Sequence, residues 1–218
     1  VCVHCTDLPT RKGKHGYVGL QDFSGDLIRA HTDAGLIYHG RTTIWKDPVV
    51  EMQRTKALGL LYKQIRKDSA MNRVGMPDYM LFFRAPGDNP DRIEHCAPGD
   101  EAERVKIARK WLDAMRREGL VRDVPDDEAL AALIPHVEFD VYEWQRLASP
   151  VWMNIQQGNV LNNWRAAKGA NDEKHVCPLQ LDVIENCLRL YSKPGDVVMD
   201  PFNGIGSTGY VALRMMRR

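Results

Sequence analysis

Val197-Val198-Met199-Asp200-Pro201-Phe202-Asn203-Gly204-Ile205-Gly206-Ser207-Thr208-Gly209 holds the residue types and spacing that could bind a cofactor. It reads as a short apolar strand, a glycine-rich turn and the start of a helix. Glycines let a backbone come close to a ligand, and a helix N-terminus offers N–H groups without partners inside the helix. Ser207 and Thr208 add hydroxyls at that start, and Asp200 adds a carboxylate for a cationic group. A plainer reading has Asp200 capping the turn and Phe202 in the core, and both roles are compatible with binding. Gly204, Gly206 and Gly209 also satisfy the dinucleotide fingerprint of nicotinamide enzymes. That alternative expects the motif in the first βα unit of its domain, with an acidic residue about twenty positions on. Here the motif follows a full helix-turn-strand, and the sequence ends at Arg218, short of that acid.

Two further groupings could do chemistry. Cys2-Val3-His4-Cys5 has C-x-x-C spacing, but a zinc site needs a second ligand pair, and the nearest candidate, His95-Cys96, lies far away in sequence. A half-buried strand from Val1 to Thr6 explains these residues more simply. Between Arg41 and Arg73 stand eight Lys or Arg against three Asp or Glu. Such an excess suits phosphates, or the solvated face of an amphipathic helix whose apolar stripe is Leu58, Leu60, Leu61 and Ile65.

The elements that must position these groups can be read along the chain. Residues 10–21 are basic and glycine-rich, a loop. Ser24 suits an N-cap, with Leu27, Ile28 and His31 at helical spacing up to Gly35. Leu36 to Trp45 reads as extended with a break at Gly40, so residues 1–48 read strand–helix–strand, the unit of a parallel or mixed sheet. Asp78 to Arg84 is a strand stopped by Ala85-Pro86-Gly87. Residues 88–146 look inserted and acidic, with fifteen Asp or Glu against nine Lys or Arg. Asp100 and Glu103 fit a capping box for a helix ending at Gly119, and a second helix runs from Asp126 to Ile134. Their charge reads as a solvated face. From Ser149 the core resumes. Pro178 suits the first turn of a helix whose buried stripe is Ile184, Cys187, Leu188 and Tyr191, and Lys193-Pro194-Gly195-Asp196 turns into the strand at Val197.

Composition bounds the rest. The chain has 218 residues, 44% hydrophobic and 8% aromatic, with a net charge of +1. That suits a globular core, and bulk charge implies no partner. No apolar run approaches a membrane span, and no secretory signal opens the chain, so no membrane partner is expected. Five scattered cysteines read as reduced thiols of a cytoplasmic protein.

Asp200-Pro201-Phe202-x-Gly204-x-Gly206-Ser207-Thr208-Gly209, with Pro178-Leu179 and Pro194-Gly195-Asp196 before it, resembles the permuted DNA amino-methyltransferases, the β-type N6-adenine/N4-cytosine enzymes. The resemblance covers 149–218 closely and 1–84 loosely, and leaves out 88–146. It implies an α/β fold: a partial Rossmann-like S-adenosylmethionine-dependent methyltransferase sheet with a partly helical insertion. It implies three regions: a target-base half at 1–48, a DNA-facing region with the acidic insertion at 49–148, and a cofactor half at 149–218. Asp200, Phe202, Gly204, Gly206, Ser207, Thr208, Pro178 and Leu179 would bind S-adenosylmethionine. Lys46, Arg54, Lys56, Lys63, Arg66 and Lys67 would face double-stranded DNA, and Trp45 would stand at the base pocket or in plain core. The family's catalytic tetrapeptide (Asp, Asn or Ser, then Pro-Pro, then an aromatic) appears nowhere in the sequence, so no catalytic residue is assigned. With Val1 already inside a strand and a last helix that stops without a cap, the chain reads as a piece of a longer protein, inactive alone. A degenerate DNA-binding remnant is the non-enzymatic alternative.

Overall fold

A computed structural model of the chain describes residues 1–10, 12–55, 58–89, 101–117, 126–133, 141–161 and 178–218. The chain forms two compact units, Val1–Asn89 with Ser149–Ile155, and Pro90–Ala148 with Gln156–Arg218.

The first unit is built on four strands, β1 (Cys2–Cys5), β4 (Ile37–Ile44), β5 (Asp78–Arg84) and β6 (Val151–Trp152). They form one sheet in the order β1-β5-β4-β6. β5 is antiparallel to both β1 and β4, so β1 and β4 run parallel with β5 between them. β6 adds to β4 in parallel. The expected strand–helix–strand is present, in a mixed sheet. Its helix, α2 (Phe23–Asp33), starts two residues earlier than a Ser24 cap would place it. Asp22 is the cap, its Oδ1 accepting from the Gly25 amide at 2.7 Å and the Ser24 hydroxyl at 3.0 Å. The backbone bond lowers the Asp22 pKa most, and the Ser24 bond adds to it. Residues 10–21, expected as a loop, include one turn of helix, α1 (Lys12–His15), and β3 (Leu20–Gln21) paired antiparallel with β2 (Leu8–Pro9).

Successive side chains of a strand point to opposite faces, and β5 buries both. Leu81 and Phe83 lie with Cys5 against Phe23, Leu27 and Ile28 of α2. His31, half-buried, stacks on Phe83 at 4.6 Å between ring centroids at the edge of this core. Phe82, on the other face, meets Trp152 edge-on at 6.3 Å. The break at Gly40 is a register shift in the β4–β5 ladder, with Gly40 at φ +154°. Cys2 is exposed and Cys5 buried, as a half-buried strand requires. Burial, more than the neighbouring Asp7 and Asp78, pushes the Cys5 thiol up to about 11, so it stays neutral.

The basic segment after β4 does not form one helix. It runs α3 (Pro48–Thr55), a 3₁₀ turn (Leu58–Leu60), α4 (Gln64–Lys67) and a second 3₁₀ turn (Ser69–Met71). Ile65, expected in a buried stripe, is 55% exposed. Short helical turns cannot carry a stripe long enough to define one face.

The second unit contains α5 (Glu101–Arg117), α6 (Asp127–Leu133), α7 (Val141–Leu147), α8 (Leu181–Tyr191) and α9 (Ser207–Arg214). Asp100 and Gly119 lie outside the described residues. α6 is capped by Asp126, whose Oδ1 accepts from the Ala129 amide at 2.9 Å. α7 is an addition to the expected elements. Its Glu143 binds Arg146 and, from α8, Arg189. The Arg146 bond lowers the Glu143 pKa most, burial opposes it, and Arg189 adds to the lowering. α8 and α9 bury Leu181, Ile184, Leu188, Val211 and Ala212 together, with Leu179, Val198 and Met215 against them. Cys187 is buried as expected, but Tyr191 is 47% exposed. Pro178 stands before the helix rather than in its first turn, since the cap is Gln180.

Candidate functional site

The segment from Val197 to Asp200 is extended but belongs to no sheet among the described residues. Only Val198 faces the α8–α9 core, while Val197 and Met199 are 72% and 84% exposed. Its backbone has begun a ladder. Arg218 N–H donates to Asp196 O at 2.8 Å, and Val198 N–H donates to Arg218 O at 2.6 Å. One residue bonding to two that flank its partner is the parallel pattern, so Arg218 stands opposite Val197, with α9 between them in the chain as in a βαβ unit. α9 does not stop uncapped. Met216 takes φ 63°, Arg217 N–H reaches Ala212 O at 2.7 Å and Met216 N–H reaches Leu213 O at 3.0 Å, a Schellman motif.

Between the extended segment and α9 lies the glycine-rich turn. Asp200 Oδ1 accepts from the Phe202 amide at 2.8 Å, so the aspartate does cap the turn. Phe202 is 90% exposed and is no core residue. Gly204 and Gly206 have φ of 55° and 91°, left-handed values that an L side chain adopts at a cost. Among the described residues, a Cβ on Gly206 would meet no heavy atom within 4 Å, and one on Gly204 only the Phe202 carbonyl at 3.7 Å. Both glycines therefore border open space, while Asn203 holds the turn by bonding Gly206 and Gly209 amides. Gly206 precedes α9, whose first N–H groups have no partner within the helix. The hydroxyls at the helix start diverge. Ser207 is buried, and among the described residues its Oγ has no hydrogen-bond partner, whereas Thr208 is half-buried.

Pro178 and Leu179 are half-buried just before α8. A staple that sequence reasoning missed holds this end of the helix. Asp182 accepts from the Gln156 amide at 2.9 Å and from Asn159 Nδ2 at 2.7 Å, and Asn159 O accepts from the Leu181 amide at 2.8 Å. An Asp in the first turn of a predicted helix was the available signal.

In the first unit the candidate phosphate-facing cations part company. Lys63, Arg66 and Lys67 are exposed. The Arg54 side chain and Lys56 lie outside the described residues. Lys46 departs from expectation: its Nζ sits 2.6 Å from Asp78 Oδ1, with only 11% of the side chain exposed. His4 Nε2 approaches the other Asp78 oxygen at 3.1 Å. Burial alone would raise the Asp78 pKa, but the hydrogen bonds and charges of His4 and Lys46 outweigh it and hold the carboxyl below its usual value. A buried carboxylate needs paired charge, so Lys46 is committed inside the unit. Trp45 is 44% exposed, not plain core.

The family model described as DNA methylase, N6_N4_Mtase, matches residues 39–218. Among solved structures, the chain resembles a candidate DNA modification methylase from Thermus thermophilus complexed with S-adenosyl-L-methionine. The TM-score is 0.55 at 17% identity, covering 100% of this chain and 60% of that one. Another structure of that protein gives 0.51 at 17% identity, covering 100% and 59%. This likeness shows the fold, and the chain spans about 60% of the length of those it matches. No curated protein matches. The family match sets aside the nicotinamide reading of Gly204, Gly206 and Gly209. Over most of its length, including the turn that carries those glycines, the chain belongs to the DNA methylase family.

Proposed function

We propose that the protein serves methyl transfer from S-adenosylmethionine to an exocyclic amine of a DNA base, N6 of adenine or N4 of cytosine. The observation that carries this is the turn from Asp200 to Thr208. Two left-handed glycines border open space at the N-terminus of a helix, inside the region that matches the DNA methylase family. When bound, S-adenosylmethionine supplies an electrophilic methyl group. The residues present fit such a ligand, because Gly204 and Gly206 offer a backbone surface with no Cβ. Phe202 offers an exposed ring. Pro178 and Leu179 stand just before α8, and Thr208 lies in the first turn of α9. Asp200 holds the turn through its Phe202 bond, and its carboxylate favours a cationic ligand. The buried Ser207 hydroxyl, without a hydrogen-bond partner among the described residues, stands at the same helix start.

The chain carries no Asp/Asn/Ser-Pro-Pro-aromatic tetrapeptide. Residues 1–218 alone are expected to transfer no labelled methyl group to DNA. Double-stranded DNA is the proposed partner, met by Lys63, Arg66 and Lys67, with Arg54 and Lys56 in the same basic segment. The regional division at 1–48, 49–148 and 149–218 stands as part of this proposal. A reducing cytoplasmic setting is part of the same proposal, in keeping with five cysteines scattered along the sequence.

Calorimetric titration with S-adenosylmethionine tests the cofactor reading. Gly204→Val and Gly206→Val should each abolish binding, since a branched side chain would enter the open space. Normal affinity in both variants, or binding of NAD in place of S-adenosylmethionine, would overturn it.

A further inference from the structure

Leu61 to Asp68 places its most exposed aromatic among its cations. Tyr62 is 83% exposed and Ile65 55%, and both stand beside exposed Lys63, Arg66 and Lys67. The Gln64 amide donates to Leu61 O at 2.8 Å, so Tyr62 and Lys63 are the central residues of a tight turn. The Arg73 amide reaches Gly59 O at 3.1 Å and closes the base of the loop. Asp68 lies in the same loop, with its carboxylate turned onto the Ala70 amide at 3.1 Å.

What sets Tyr62 and Ile65 apart from other exposed apolar side chains is the cluster of cations around them. These surroundings select the partner. Lysine is depleted at protein–protein contacts, whereas cations around an exposed ring suit a polyanion whose bases present flat apolar faces. We propose that Tyr62 is a wedge. Its ring enters the base stack of bound DNA, Ile65 supports it, and Lys63, Arg66 and Lys67 hold the flanking phosphates. This inference rests on the DNA reading above and assigns a task to a residue that reading leaves out. An apolar side chain inserted between base steps must unstack them, and that cost falls where a base is already missing. A wedge therefore prefers a gapped duplex to an intact one.

The test compares two labelled duplexes of one mixed sequence, one intact and one with a single abasic site, by fluorescence anisotropy over a range of salt. The full 218-residue chain should bind the abasic duplex more tightly. Tyr62→Ala should weaken binding to that duplex by about tenfold, the loss of one base–aromatic stack, and erase the preference while leaving the salt slope unchanged. Tyr62→Phe should retain the preference. Because Tyr62 is exposed, neither change disturbs a core. An abasic preference that survives in Tyr62→Ala would overturn the wedge and leave the DNA reading intact. Absence of salt-dependent binding by the wild-type chain would overturn both. Self-association abolished by Tyr62→Ala, with DNA binding untouched, would assign the tip to a second copy of the chain and end the proposal.

Discussion

Gly206 and Asp78 show how much can rest on one residue. Gly206 sits at φ 91° in open space, so an added methyl meets strain but no clash. Gly206→Ala should cost about 1–2 kcal/mol of stability, the strain of a left-handed L residue, read as a lower midpoint in chemical denaturation. Asp78 carries a different consequence. His4 and Lys46 hold its folded pKa below the ordinary 3.8 although burial pushes the other way. The folded state therefore binds this proton less readily than the unfolded chain. The stability it contributes is present above the unfolded value and is lost as pH falls through the lower folded value. Acid unfolding of the wild type should be steeper below about pH 4 than that of Asp78→Asn. Near neutral pH the same substitution should destabilise by about 3–5 kcal/mol, because it leaves Lys46 buried without its carboxylate. Parallel melts of the two proteins across pH check both statements.

Elements differ in whether they belong to a core. β5 is central to its sheet, and Leu81 on it is fully buried against α2. Leu81→Ala should cost about 2–5 kcal/mol in denaturant unfolding, the lost transfer energy plus the cavity. The α4 turn is the opposite case. Ile65→Ala should change stability by less than about 0.5 kcal/mol, since half the side chain is already in water. A large loss at Ile65 would show that the basic segment packs as one amphipathic helix after all.

At the scale of the whole chain, net charge says nothing about DNA, because an excess of cations at 41–73 offsets an acidic 88–146. Only a local measurement separates them. Replacing Lys63, Arg66 and Lys67 by Gln should lower the slope of log affinity against log salt by about one unit per lost phosphate contact. Lys46→Gln should leave that slope unchanged and instead lower the melting temperature, because its charge is taken up by Asp78. An unaltered slope in the triple variant would make the three cations a solvated face.

The sequence by itself determined what depends on local spacing. The turn from Asp200 to Thr208, the helix after it, the apolar strand at Asp78–Arg84 and the break at Gly40 follow from glycines and from a short run of apolar and aromatic residues, and the structure has them where the residues put them. The family followed from the same local motif. Tertiary structure alone decided which groups meet across long separations. Nothing near Lys46 announces that Asp78, thirty-two residues on, will neutralise it, or that His4 will share the same carboxylate. Asp22 displaced Ser24 as a cap because its side chain reaches the Gly25 amide, a competition that composition cannot rank. The basic segment misled for a related reason. Leucines at helical spacing specify an apolar stripe only if the helix continues, and here it breaks into turns that set Tyr62 and Ile65 in water beside the cations. Spacing fixes which side chains could share a face, but only the folded backbone decides whether that face exists.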